Sequence, residues 1–90
     1  MKMITGKMEL SPLKVYVDVD VHFSKDGKII PKAIFWEDGR RYEIDKITQV
    51  ARRASFRAGG TGMRYTCIVN GKQSYLFYEV NRWFVERRTA

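Results

Sequence analysis

From Lys14 to Phe23 apolar and polar residues alternate without a break, with Val15, Val17, Val19, Val21 and Phe23 on one side and Tyr16, Asp18, Asp20 and His22 on the other. A period of two sustained this long predicts a half-buried β-strand. Lys25-Asp26-Gly27-Lys28 then marks a turn, with Gly27 free to take positive φ. The next run, Ile29 to Trp36, sets Ile30, Ile34 and Trp36 on one face and Ala33 and Phe35 on the other. Pro31 cannot donate to a sheet ladder, so it predicts an edge or a bulge at that point.

Asp38-Gly39 predicts a tight hairpin, and Arg40 to Ile44 resumes the alternation. The period breaks after Ile44, because Ile47 and Val50 follow at intervals of three. Two readings compete. A bulge near Asp45 and Lys46 bends the strand and lets it run on toward Phe56, as at a barrel corner. Alternatively Asp45 caps a short helix over 46–58 that ends at Gly59. The β-branched Ile47, Thr48 and Val50 favour the strand. Beyond a glycine-rich stretch, Ala58 to Gly62, come two strands, Met63 to Val69 and Lys72 to Val80, joined by Asn70-Gly71. Asn81 and Arg82 turn the chain into a last strand, Trp83 to Arg87.

The sum is an all-β chain of about six antiparallel strands in a meander, predicted to form a small SH3-like or Sm-like barrel or a bent sheet. Met1 to Leu13 lacks a period and reads as a flexible tail ahead of a single domain spanning 14–87. Ninety residues bury only about 60 to 65 % of the surface that the unfolded chain exposes. The core must therefore draw on the aromatic residues, and Trp36, Tyr42, Tyr75, Phe77 and Trp83 are its expected members.

One cysteine rules out an internal disulfide, and no apolar run approaches a membrane span. Met1 to Lys14 also lacks the apolar stretch of a secretory signal, so the expected location is cytoplasmic, with no membrane partner. Charge changes the picture more. The chain carries +7 overall; residues 1–39 are neutral, 40–64 carry +5 and 65–90 carry +2. Between Lys46 and Tyr78 there is no Asp or Glu. Arg dominates this segment, and its planar fork of donors suits phosphate or carboxylate.

Arg40, Arg41, Arg52, Arg53, Arg57 and Arg64 form the candidate nucleic-acid-binding set, interleaved with Phe56 and Tyr65 as candidate stacking surfaces. Arg57 and Arg64 also flank Gly59-Gly60-Thr61-Gly62, which lacks the Gly-Lys-Ser/Thr ending of a phosphate-binding loop. Asp18, Asp20 and His22 share one strand face about 6 to 7 Å apart, a spacing open to a divalent metal, but a solvated face is the simpler reading. Cys67 lies in an apolar strand far in sequence from the single His and reads as a buried small hydrophobe. No acid–base pair, nucleophile or cofactor motif is coherent, so a non-enzymatic role without cofactor is expected.

The run Trp36-Glu37-Asp38-Gly39-Arg40-Arg41-Tyr42-Glu43-Ile44-Asp45, with Arg53-Ala54-Ser55, Ala58-Gly59-Gly60, Arg64-Tyr65-Thr66, Tyr75 to Glu79 and Arg82 to Glu86, resembles a family of small bacterial proteins without an assigned activity. The pattern Trp36, Gly39, Arg40 and Tyr42 is also similar to short domains of unknown function that accompany translesion DNA polymerases. These resemblances imply a domain identity and no catalytic role. The expected function is a binding module that engages nucleic acid or another polyanion through its Arg-rich surface; a protein-interaction or self-assembling β module is the alternative.

Overall fold

A computed structural model describes residues 14–52 and 62–86. Seven strands are formed: β1 (Lys14–Phe23), β2 (Ile29–Phe35), β3 (Arg41–Glu43), β4 (Lys46–Arg52), β5 (Met63–Val69), β6 (Lys72–Glu79) and β7 (Arg82–Glu86). All pairings are antiparallel, in the order β3-β2-β1-β7-β6-β5-β4. The expected all-β bent sheet is thus what forms, and β3 with β4 is one bent strand of the six. The segment in dispute is strand from Lys46 to Arg52; its remainder to residue 58 lies outside the described residues, as does the expected tail over 1–13.

The two outermost strands in this order, β3 and β4, are consecutive in the chain and joined by Ile44 and Asp45 alone. A link this short cannot span an open sheet, so the sheet curls until its edges meet. The Ile44 amide donates to the Lys32 carbonyl of β2 at 2.9 Å, and the next amide, Asp45, donates to the Ile68 carbonyl of β5 at 2.9 Å. β1 makes the complementary switch: Lys14–Val17 pair with β7, and Asp18–Phe23 pair with β2.

Two bulges sharpen the curl. One lies on β2, where Asp20 opposes Ala33 and Val21 opposes Pro31, leaving Lys32 extra beside the proline. The other lies on β4 at Thr48, between the pairs Ile47–Cys67 and Gln49–Thr66, two residues beyond the expected site. There the Thr48 hydroxyl donates to the Thr66 carbonyl at 3.3 Å, occupying an acceptor at the irregularity.

The concave side holds the main core cluster, Ile34, Tyr65, Cys67 and Leu76, ringed by Val17, Val19, Ile44, Ile47, Met63, Val69, Tyr78, Trp83 and Val85; on the opposite face Ala33, Phe77 and Phe84 are buried as well. Tyr65, read as a candidate stacking residue, belongs here: it is buried, rests on Trp83 at 5.3 Å, and its hydroxyl donates to the Ile29 carbonyl at 2.8 Å. A tyrosine on the curl's inner face buries its ring and still finds a partner for its hydroxyl across the sheet. Val21 and Phe23 depart from expectation in the other direction. They share the apolar face of β1, yet Phe23 is 68 % exposed, because β1 runs past the end of β7 and past the core.

Two hairpins use the same turn. Gly27 and Gly39 each take positive φ (83° and 87°) and donate back to Ser24 and Trp36, so the loops are three residues long. Asn70-Gly71 closes β5–β6 in two residues, both at positive φ. The β6–β7 turn is Val80-Asn81, one residue earlier than expected, with φ of 51° and 61°. The register explains it: Phe77 opposite Phe84 buries two aromatic rings and Tyr78 opposite Trp83 packs two more that are half-buried, and this leaves Val80 in the turn. A β-branched residue at positive φ is strained.

Two substitutions test this account. Val80 is 85 % exposed, so Val80→Asn removes little packing and relieves the backbone; an increase of about 1 kcal/mol in urea-unfolding stability is expected. Gly62→Ala should act in the opposite sense, because a Cβ there falls 2.5 Å from the Tyr78 carbonyl oxygen, and a loss of about 1 to 3 kcal/mol should follow in the same measurement.

Candidate functional site

The convex side of the curled sheet carries a row that crosses five strands in direct register: Tyr16, Phe84, Phe77, Arg64 and Ala51. Phe77 and Phe84 stack at 5.1 Å and Tyr16 meets Phe84 edge-on at 5.7 Å. Cations lie over the rings of this side. The Arg82 guanidinium carbon is 3.6 Å from the Tyr16 centroid, Lys14 Nζ is 4.7 Å from that of Phe84, and the Arg64 guanidinium carbon is 5.4 Å from that of Tyr75. Lys14 also bonds Glu79 at 2.9 Å with both side chains 16 % exposed, so its charge is satisfied locally.

At one end of the row, Tyr16, Val17, Asp18, Val19, Asn81, Arg82 and Trp83 line an open groove of about 500 Å³. It lies where β1 leaves β7, and Arg82 stacked on Tyr16 forms its rim. Arg82 has no ion-pair partner among the described residues.

The candidate basic residues do not converge on one spot. Arg41, at the start of β3, donates to Asp20 Oδ2 at 2.5 Å and to Glu43 Oε2 at 2.6 Å. The two carboxylates hold its proton more firmly than usual, with Asp20 the larger influence, and the trio carries net negative charge. Arg40 is likewise held protonated, first by a hydrogen bond with Tyr42 and then by the charge of Asp38 3.4 Å away. Arg52 ends β4 and is exposed, opposite Met63, while its neighbour Ala51 opposes Arg64. Arg52 and Arg64 are therefore adjacent in register with side chains on opposite faces of the pleat. Arg53 and Arg57 lie outside the described residues, as does Phe56.

Sequence reading passed over Tyr16 and Arg82. Tyr16 stood among the polar residues of β1, and Arg82 was placed in a turn. No local signal reveals that the first and last strands pair; once they do, Phe84 opposes Tyr16 and Arg82, two residues from Phe84 on the same face, reaches the Tyr16 ring diagonally.

The remaining chemistry is quiet. Asp20 is engaged by Arg41, and among the described residues no group of three His, Cys, Asp or Glu side chains is placed to hold a metal ion. Of the glycine-rich loop only Gly62 lies among the described residues. No described helix is long and apolar enough to cross a membrane. Cys67 is fully buried, and burial pushes its thiol from 9.0 up to about 11, so at neutral pH it carries no nucleophilic thiolate. Comparison with family models, with curated proteins and with solved structures finds no match to the chain.

The buried thiol makes stability depend on alkaline pH with a definite sign. Below about pH 8 both folded and unfolded chains keep the thiol protonated, and its contribution is fully present. As pH rises past 9.0 the unfolded chain ionises first, and stability falls until the folded thiol follows near 11. Burial also raises Tyr65, which acts in the same direction. Urea unfolding between pH 8 and pH 11 should show Cys67→Ala losing about 2 kcal/mol less than the parent chain over that interval.

Proposed function

We propose that this chain is a non-enzymatic binding module for a polyanion, and that single-stranded nucleic acid is the class that fits it best. The observation that carries the reading is Arg82 stacked 3.6 Å over Tyr16 at the rim of an open groove. A guanidinium over an aromatic ring offers a cation for phosphate beside an aromatic surface for a base, the two elements by which small β-folds hold single strands. Arg64 over Tyr75 repeats the pairing on the same side of the sheet.

The net charge of +7 gives the long-range attraction. Arg52 adds an exposed cation at the end of β4, and Arg53 and Arg57 follow it in the acid-free segment. Arg40 and Arg41 have weaker support as phosphate contacts, because Asp38, Asp20 and Glu43 already answer their charge. The similarity of the Trp36 to Tyr42 pattern to short domains that accompany translesion DNA polymerases is consistent with a nucleic-acid partner.

Titration of a fluorescent single-stranded oligonucleotide over a salt series tests the proposal. Binding should weaken steeply with salt, with a log–log slope of about −0.7 per phosphate contacted. Arg82→Ala and Tyr16→Ala should each weaken binding on the order of tenfold, in line with about 1 to 3 kcal/mol per stacked base. Arg52→Ala should instead shallow the salt slope by about one phosphate contact. No binding at low salt, or binding indifferent to salt, would overturn the reading.

A further inference from the structure

Beyond Val17, β1 is paired on one side only. Asp18 to Phe23 are bound to β2, and among the described residues no strand covers their other edge. The bulge and the proline lie on β2 and not on this edge, and Asp18 to Phe23 contain neither Lys nor Pro, so its charged residues are limited to Asp18 and Asp20. Val21 is 38 % exposed and Phe23 68 %, so an apolar strip runs beside it.

The hairpin fixes which backbone groups point outward. The Ser24 amide donates to the Lys28 carbonyl at 2.9 Å, and His22 opposes Ile30 two positions on. Backbone groups alternate in direction along a strand, so His22 turns its N–H and C=O toward β2, and Val19, Val21 and Phe23 turn theirs to the open edge. Pro31 opposite Val21 agrees with this, because that pair requires no N–H from the proline.

We propose that this edge pairs antiparallel with the same edge of a second copy of the chain, centred on Val21. Directly opposed residues in an antiparallel pair share a face, so a two-fold pairing of the strand with itself must centre on a residue. Centring on Asp20 sets two carboxylates against each other, and centring on His22 sets two imidazoles together and shortens the match. Centring on Val21 sets Asp20 against His22 of the partner subunit, twice, and Val19 against Phe23 of the partner subunit, twice. The outward groups of Val19, Val21 and Phe23 then form about six backbone hydrogen bonds across the axis. Asp20, which Arg41 also engages, then faces an imidazole and not a second carboxylate; this self-complementarity favours the register and points to a second copy as the occupant. One short strand pair gives a small interface, so the dimer belongs to the weak class.

Sedimentation of the full chain from about 10 µM to about 1 mM should show a monomer–dimer equilibrium, and amide exchange at Val19, Val21 and Phe23 should slow as concentration rises. Val21→Pro removes an N–H that the monomer leaves unbonded and should weaken the dimer at least about tenfold. Should that variant fail to fold, the exposed His22 decides: His22→Glu, set against Asp20, should weaken the dimer about tenfold, and His22→Lys should retain it. A chain that stays monomeric throughout, or a dimer that His22→Glu leaves intact, overturns the proposal.

Discussion

Ile44 and Asp45 are adjacent residues whose amides bond to strands on opposite sides of the corner, one to Lys32 of β2 and the other to Ile68 of β5. Everything else in the fold follows from that divergence. With two residues to join the ends of a seven-strand order, the sheet has to curl, and curling creates a concave side that one set of strand faces can fill. Ile44 packs into that side, so the residue that turns the corner also anchors it. The bulges at Lys32 and Thr48 lie close to the corner on β2 and β4, where extra bending is needed.

Local chemistry was legible where it acted alone. β1 has the bounds that alternation predicts and β5 those that its flanking glycines predict, and Gly27, Gly39 and Asn70-Gly71 sit in the turns that their positive φ permits. Legibility ended wherever a distant strand set the outcome. The pairing of Phe77 with Phe84 moves the last turn onto Val80, against the preference of a β-branched residue. Tyr65 looked like an aromatic among arginines and became a core ring, because its side of β5 faces the curl. Phe23 looked like core and is exposed, because the strand is longer than the sheet that supports it. The Tyr16–Arg82 pair depended on the first and last strands meeting, which no short-range pattern encodes.

Charge was legible as a total and not as a field. Formal counting credits Arg40 and Arg41 equally with Arg52 and Arg82. In the folded chain the first two stand beside carboxylates that cancel much of their reach, while the last two have no ion-pair partner among the described residues. Exposed ion pairs of the Arg41–Asp20 kind add little to stability. Their larger effect is on recognition, since they withdraw the β2–β3 hairpin from competition for an anion and leave the β4 end and the β1–β7 groove as the more attractive regions.

β1 carries three of these consequences at once. Val15 and Val17 tie it to β7 and to the core, Tyr16 supports Arg82 on the convex side, and Val19 to Phe23 offer an edge that no strand among the described residues covers. The switch of partner between Val17 and Asp18 is what separates these roles. β7 begins at Arg82, so its side of β1 is left open beyond Val17, and the groove occupies the first part of that space. The groove and the edge are therefore one structural fact with two faces. The strained turn at Val80-Asn81 sets where β7 begins, so the same aromatic register that stabilises the sheet also leaves that space beside β1 open.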